Sequence, residues 1–243
     1  MPKVYEAGKA AGGDTEAAYE RGLAEGQEAE WNRFWDLYQI NGNRSRYIYA
    51  FAGTGWGQNG LLPPKYPITL EAGTTTQHSM FACFNCWGTD RYDLTEVCKM
   101  LDCSKATVLR QMCANACAEN ITLDLSSCTN ATEMFSCALG GGNIDKVYLK
   151  VTEKLTTTSN MFQSCANLVT LIFTEDSVIN AALAFSSSSL LSSESVDSII
   201  NALKDRTGTS TLKLTVHKDV YNRMVASGQD VLVTAKNWTL VSG

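Results

Sequence analysis

The feature that most constrains this fold is a short phrase that the chain repeats: a methionine, often followed by phenylalanine, with a cysteine a few residues later. The phrase occurs four times in the middle of the chain, at residues 79–83, 111–117, 133–137 and 159–168. Recurrence on this scale predicts a stack of structural repeats, in which each unit buries its apolar face against the next. Stacked repeats present extended surfaces, which favours a binding function over chemistry in a pocket.

The spacing of the units supports a true repeat. Leu101 and Leu123 are 22 residues apart, and so are Met112 and Met134. Leu149 and Leu171, which begin the next two predicted strands, continue the series. Each unit is expected to contribute one short strand with two inward apolar side chains, followed by a turn. The predicted inward pairs are Leu123 with Leu125, Leu149 with Val151, and Leu171 with Phe173, and the predicted turn residues are Asn115, Asn130, Asn160 and Asn167.

Residues 14–38 are predicted to form an amphipathic helix, because the segment is rich in strong helix formers. In its second half, aromatic residues recur at helical spacing and form one face. Its first half places Gly22 and Gly26 on one side. Glycine inside a helix costs about 1 kcal/mol relative to alanine, so this pair indicates either close approach of another helix or ordering on assembly. A solvated, frayed helix is the alternative. The predicted oligomer interface consists of Tyr19, Gly22, Leu23, Gly26, Trp31 and Phe34.

The segments on either side of the repeats have a different character. A strand at 47–51, a glycine-rich loop and a proline-rich segment lead into Ile68-Thr69-Leu70. After residue 191 we expect a helix over 196–204, a strand over 212–216, a short helix over 218–225 and a last strand over 238–240, which together would cover the final apolar layer. The predicted organisation is an N-terminal helix (1–44), a lead-in (45–69), the repeats (70–190) and a C-terminal cap (191–243).

Nine cysteines, an odd number, cannot all pair within one chain. Several recur at the same place in each repeat, so we interpret them as small buried apolar residues of the stack. The alternative is a zinc site, because a C-x2-C pair is followed by a C-x4-C pair. Its ligands would be Cys83, Cys86, Cys98 and Cys103. We favour packing, and no metal or other cofactor is expected.

Composition and motifs exclude several classes of function. The formal net charge is −5 and no long run of either sign occurs, which argues against nucleic-acid binding. No apolar stretch is long enough to span a membrane, and the first residues lack the pattern of a secretory signal. The two histidines, His78 and His217, lie far apart with no nucleophile motif beside them. The sequence therefore predicts a protein that is not an enzyme and does not insert into a membrane.

The repeats resemble the bacterial BspA-like leucine-rich repeat family, in which Leu-x-Leu-Ser strands alternate with Met-Phe-x-x-Cys turns. Residues 159–171 are most similar to that pattern, and residues 134–137 are next. The resemblance implies an α+β fold: a leucine-rich-repeat-like solenoid of short parallel strands, with an N-terminal helix and a C-terminal α/β cap. The flanking segments are similar to phage-encoded members, which implies a tail-associated or decoration protein of a virion, assembled in the bacterial cytoplasm.

Exposed aromatic and planar side chains often carry recognition, so the expected ligand-binding residues are those in the loops and insertions of the ladder. They are Trp56, Trp87, Arg91 and Tyr92. The expected partners are a host-surface glycan or protein, other virion proteins and further copies of this chain. Two alternatives remain open at this stage: a purely structural virion component, and a bacterial cell-surface adhesin.

Overall fold

A computed structural model describes residues 25–26, 68–70, 95–137 and 143–243 of the 243-residue chain. Glu25 and Gly26 are helical and exposed, as expected for their place in the predicted N-terminal helix. The rest of that helix, the strand expected at 47–51 and the glycine-rich loop lie outside the described residues. Within the described part, no helix has both the length and the apolar character needed to cross a bilayer.

The first half of the described chain forms two small parallel sheets. Strand β1 (Ile68–Thr69) pairs with β2 (Leu101–Asp102), and the short helix α1 (Thr95–Lys99) precedes β2. The second sheet has the order β3-β4-β5, with strands Cys117–Leu125, Asn143–Val151 and Thr170–Phe173. All six predicted inward residues of this sheet are buried, which confirms the alternation read from the sequence.

The register of β5 differs from the one that the leucine spacing suggested. Leu171 lies opposite Val147, and Phe173 lies opposite Leu149, so Leu149 and Leu171 are not equivalent positions. The displacement is two residues. Because side chains alternate with a period of two, such a shift keeps the same residues on the buried face. A one-residue slip would have turned Leu171 and Phe173 to solvent.

The methionine-containing segments form a second stack, opposite the strands in each unit. We call the three segments 109–115, 130–137 and 157–165 the methionine turns. Alternate backbone N–H groups of each turn donate to carbonyls of the next, from Leu109, Gln111, Cys113 and Asn115 at 2.6–2.9 Å and from Ala131, Glu133, Phe135 and Cys137 at 2.8–2.9 Å. All eight of these bonds run in one direction, from a turn to the one after it, and we call this set of bonds the ladder between the turns. The turns therefore lie in register, one above another.

Aromatic rings run through the core beneath the methionine turns. Phe135 stacks on Phe162 with ring centroids 5.3 Å apart, and Phe162 meets Phe185 at 5.0 Å. All three rings are buried, and so are Met112, Met134 and Met161. Phe185 continues the column of rings, although it lies on a strand.

Each methionine turn bends through a left-handed residue directly before its methionine. Gln111, Glu133 and Asn160 have φ of 55°, 56° and 56°. None is glycine, although positive φ costs a side-chain-bearing residue energy. Of the predicted turn asparagines, Asn130 accepts a hydrogen bond from the N–H of Thr132 at 2.9 Å, and Asn115 adopts a left-handed conformation with φ of 57°.

The last part of the chain adds a third parallel sheet and three helices. The sheet has the order β6-β7-β8, with strands Leu183–Phe185, Leu212–Val216 and Trp238–Ser242. The helices are α2 (Ser193–Ala202), α3 (Lys218–Ser227) and α4 (Gln229–Ala235). The sequence predicted α2, α3, β7 and β8 but not α4. A left-handed Gly228, with φ of 77°, ends α3 and lets α4 begin at once.

Helix α2 closes the free edge of β5. The N–H groups of Leu171 and Phe173 donate to the hydroxyls of Ser195 and Ser198, each at 2.8 Å. The same hydroxyls donate to the carbonyls of Val169 and Phe173, at 3.2 and 3.3 Å. Two serines thus take the place of a fourth strand. The described part is a mixed helix and strand structure whose parallel strands lie in small sheets, with one buried cluster extending from Leu70 to Trp238.

Candidate functional site

Most of the site residues expected from the sequence lie outside the described residues. These are all four expected ligand-binding residues (Trp56, Trp87, Arg91 and Tyr92), the zinc candidates Cys83 and Cys86, His78, and the oligomer-interface residues Tyr19, Gly22, Leu23, Trp31 and Phe34. Gly26 is described, and a Cβ atom added there would meet nothing within 4 Å. The expectations for these residues remain predictions.

The seven described cysteines are all buried thiols. Burial raises the pKa of Cys103, and it raises the pKa of Cys128 to about 11. A hydrogen bond with Cys98, together with burial, raises the pKa of Cys113. Because the thiolate is the nucleophile and the metal ligand, these shifts work against both roles at neutral pH. Within the described ranges no group of three or more histidine, cysteine or acidic residues is arranged to hold a metal ion.

His217 has a structural role in the fold. Its Nδ1 accepts a hydrogen bond from the N–H of Asp219 at 3.2 Å, which caps the first turn of α3. Its ring also lies 3.6 Å from the Asp219 carboxylate. A capping imidazole whose Nδ1 is engaged by the backbone is typical of a helix start rather than of a catalytic base.

The most distinctive surface is the solvent side of the β3-β4-β5 sheet. We call it the outward face. It consists of Asn120, Thr122 and Asp124 on β3, Lys146, Tyr148 and Lys150 on β4, and Thr170 and Ile172 on β5, and none of these residues is buried. The register aligns them in rows, one of which is Thr122-Tyr148-Ile172. Side-chain type changes from strand to strand in every row, whereas the buried side of the sheet is uniformly apolar.

Tyr148 occupies the middle of the outward face. Thr122 and Ile172 flank it across the sheet, where adjacent strands are about 4.8 Å apart. Lys146 and Lys150 flank it along β4, each about 6.6 Å away along the strand. Such a strip offers an aromatic ring with a cation on either side. Aromatic rings of this kind are common anchors in binding surfaces, because they bury much area at small entropic cost.

A groove of about 380 Å³ adjoins the outward face between β5 and α2. Ile172 and Ser198 contribute to its lining, and so do four acidic residues: Glu175, Asp176, Glu194 and Asp197. One of these carboxylates, on Asp197, accepts a hydrogen bond from the Gln229 side chain at 2.6 Å. The surface therefore passes from lysines on β4, across Tyr148 and Ile172, to carboxylates beside α2.

A second groove, of about 450 Å³, lies over the third methionine turn and sheet β6-β7-β8. Hydroxyl and amide side chains line most of it, with one cation, Lys213. The Thr158 hydroxyl inside it donates to the carbonyl of Ala182. This groove is nearly neutral, which distinguishes it from the charged one beside the outward face.

No family model, curated protein or solved structure matches this chain. Its site must therefore be argued from its own geometry. The ligand-binding residues expected from the sequence were assigned to loops and insertions, and Tyr148 was not among them. The sequence signal for its outward position lies in residues 146–151, where Lys, Tyr and Lys alternate with Val, Leu and Val. In a strand with one buried face, that alternation places the polar and aromatic residues together on the other face.

Proposed function

We propose that this protein is a non-enzymatic virion component of the BspA-like leucine-rich repeat type, which recognises the surface of a host bacterium. The observation that carries the proposal is the contrast between the two sides of the β3-β4-β5 sheet. Its buried side repeats Leu, Val, Ile and Phe, whereas the outward face differs in every strand. A constant scaffold that carries variable side chains is how repeat proteins build extended binding surfaces.

The chemistry of the outward face suits a polar, ring-containing ligand such as a host-surface glycan, or a protein loop that presents a planar group. Tyr148 supplies a face on which a sugar ring can stack, and the flanking lysines supply hydrogen-bond donors and positive charge. The resemblance of the repeats and flanks to phage-encoded proteins supports a place in the virion. A homo-oligomer formed through the N-terminal helix would multiply weak contacts into useful avidity.

The proposal is tested by binding of the purified full-length chain to cells of candidate host strains. We expect Tyr148→Ala to weaken binding at least tenfold, because a central aromatic anchor typically contributes about 2 kcal/mol or more. Tyr221→Ala is the matched control, since Tyr221 is also half-buried but lies on α3, away from the outward face. If the wild type binds the cells and Tyr148→Ala binds them as well as Tyr221→Ala does, the proposal is contradicted.

A purely structural role predicts a different result. A phage that carries Tyr148→Ala would then adsorb normally, since the outward face would have no ligand on the host. Under our proposal the same phage assembles into particles of normal composition and adsorbs poorly. Particle yield and adsorption rate, measured on one preparation, distinguish the two functions.

A further inference from the structure

Two buried thiols approach each other across successive methionine turns. The Sγ atoms of Cys137 and Cys165 are 4.0 Å apart, and the two residues are 4 % and 2 % exposed. The N–H of Cys137 donates to the carbonyl of Gln163, two residues before Cys165, at 2.8 Å. The two sulfur atoms therefore face each other across adjacent, hydrogen-bonded segments of backbone.

The side chain of Cys165 already points toward the turn that carries Cys137. Its thiol lies 3.0 Å from the carbonyl oxygen of Phe135 and within hydrogen-bond reach of the Cys137 sulfur. To form a bond of about 2.05 Å the two sulfur atoms must close by about 2 Å, which rotation about the Cα–Cβ bonds can supply.

We propose that Cys137 and Cys165 form a modification site, at which a peroxide joins the two thiols in a disulfide that links the second and third methionine turns. The Cys137 thiolate attacks hydrogen peroxide, the O–O bond breaks, and Cys137 becomes a sulfenic acid while the released hydroxide takes up a proton to form water. Cys165 then attacks the Cys137 sulfur, the S–S bond forms, and a second water leaves. The two thiols lose two electrons and two hydrogens, and one peroxide is reduced to two waters.

The assignment of roles follows from the hydrogen bond between the two side chains. Donation from Cys165 lowers the pKa of Cys137, although burial opposes this effect. The same hydrogen bond, with burial, raises the pKa of Cys165. Cys137 is therefore the attacking sulfur and Cys165 the resolving one. Hydrogen peroxide is close to water in size, so local opening of the turns is enough to admit it.

The experiment is peroxide treatment of the purified full-length protein, followed by alkylation of the remaining thiols and digestion with trypsin and a glutamate-specific protease. These enzymes release residues 134–146 with Cys137 as their one cysteine, and residues 155–175 with Cys165 as theirs. We expect the two peptides to be recovered as one disulfide-linked species. Recovery of both as alkylated thiols, or of Cys137 linked to Cys117 or another cysteine, would overturn the proposal.

Thermal unfolding supplies a second readout. The link closes a loop of 28 residues, and we expect it to raise the Tm by about 5–10 °C, with full reversal by dithiothreitol. Cys165→Ser should abolish the rise and leave a sulfenic acid at Cys137 that dimedone traps. Cys128→Ser, a buried thiol outside the pair, should retain the rise. If a serine variant does not fold, the peptide map of the wild type still decides the question.

Discussion

Phe162 is the residue on which the packing of the stacked turns most depends, because it contacts an aromatic ring on either side. Its ring lies between Phe135 and Phe185, in successive layers of the core, and it is 1 % exposed. Removal of this ring would leave a cavity that neither neighbour can fill without breaking the column. The hydrogen-bonded ladder between the turns holds the neighbouring backbone in place, which limits how far the core can close around the cavity.

We therefore expect Phe162→Ala to lower the free energy of unfolding by about 3–5 kcal/mol, measured by urea denaturation. Phe162→Leu, which keeps most of the volume, should cost about 1.5 kcal/mol or less. The ratio of the two losses reports how rigid the column is. Equal losses would contradict this account, because the cost would then not depend on the volume left unfilled.

Individual residues also show where sequence reasoning ran out. The buried leucines of β3 and β4 were predictable, because their alternation with polar residues has one physical meaning. The left-handed residues Gln111 and Glu133 were not, since neither side chain favours positive φ and only the ladder around them requires it. The outward position of Tyr148 was predictable from the same alternation along β4.

At the scale of elements, helix α2 lies beside β5 in the position that a fourth strand would occupy. Ser195 and Ser198 lie one helical turn apart, and each hydroxyl accepts from an N–H of β5. The Ser198 hydroxyl also donates to β5, and the Ser195 hydroxyl donates to Val169, directly before it. A free strand edge invites pairing with another chain. The helix therefore ends the β3-β4-β5 sheet and protects it from association through β5.

Loss of both hydroxyls should leave the edge of β5 open to pairing with another chain. We expect Ser195→Ala with Ser198→Ala to lower the free energy of unfolding by about 2–4 kcal/mol, because two N–H groups of β5 lose their acceptors inside the structure. We also expect a concentration-dependent rise in apparent mass by light scattering. Ser193→Ala, on an exposed position of the same helix, is the control and should change neither quantity. A stable, monodisperse double variant would show that β5 does not need this cover.

Helix α4, strand β6 and the register of β5 were not predicted for a common reason: none of them leaves a distinct pattern of apolar residues in the sequence. Helix α4 is seven residues long and joins α3 through one glycine, so its pattern could not be separated from a loop. Strand β6 has only three residues, which is too short for an alternation of apolar and polar side chains to identify it. The shift of β5 by two residues leaves every burial unchanged, and therefore left no trace in the apolar pattern.

At the scale of the whole described structure, the methionine turns and the C-terminal elements share one core. The buried cluster includes Leu70 and Met112 at one end, and Met224, Val233 and Trp238 at the other. Lys236, between α4 and β8, reinforces the connection by donating to three carbonyls at the end of α2, at 2.7–3.0 Å. The methionine turns and the C-terminal elements are thus linked by apolar contacts, and the partly exposed Lys236 adds hydrogen bonds to the end of α2.

A shared core predicts one cooperative unfolding transition for the described part of the chain. We expect Met224→Ala, on α3, to shift the transition of the whole protein and to cost about 2–5 kcal/mol, because Met224 is 1 % exposed. Leu232→Ala, on α4, is the control, since Leu232 is 53 % exposed and should cost about 0.5 kcal/mol or less. Far-UV circular dichroism and protease resistance of the 95–137 segment should follow one curve. If Met224→Ala unfolded the C-terminal elements while the methionine turns stayed protected, the cap would be an independent unit and its contribution to the stack would be small.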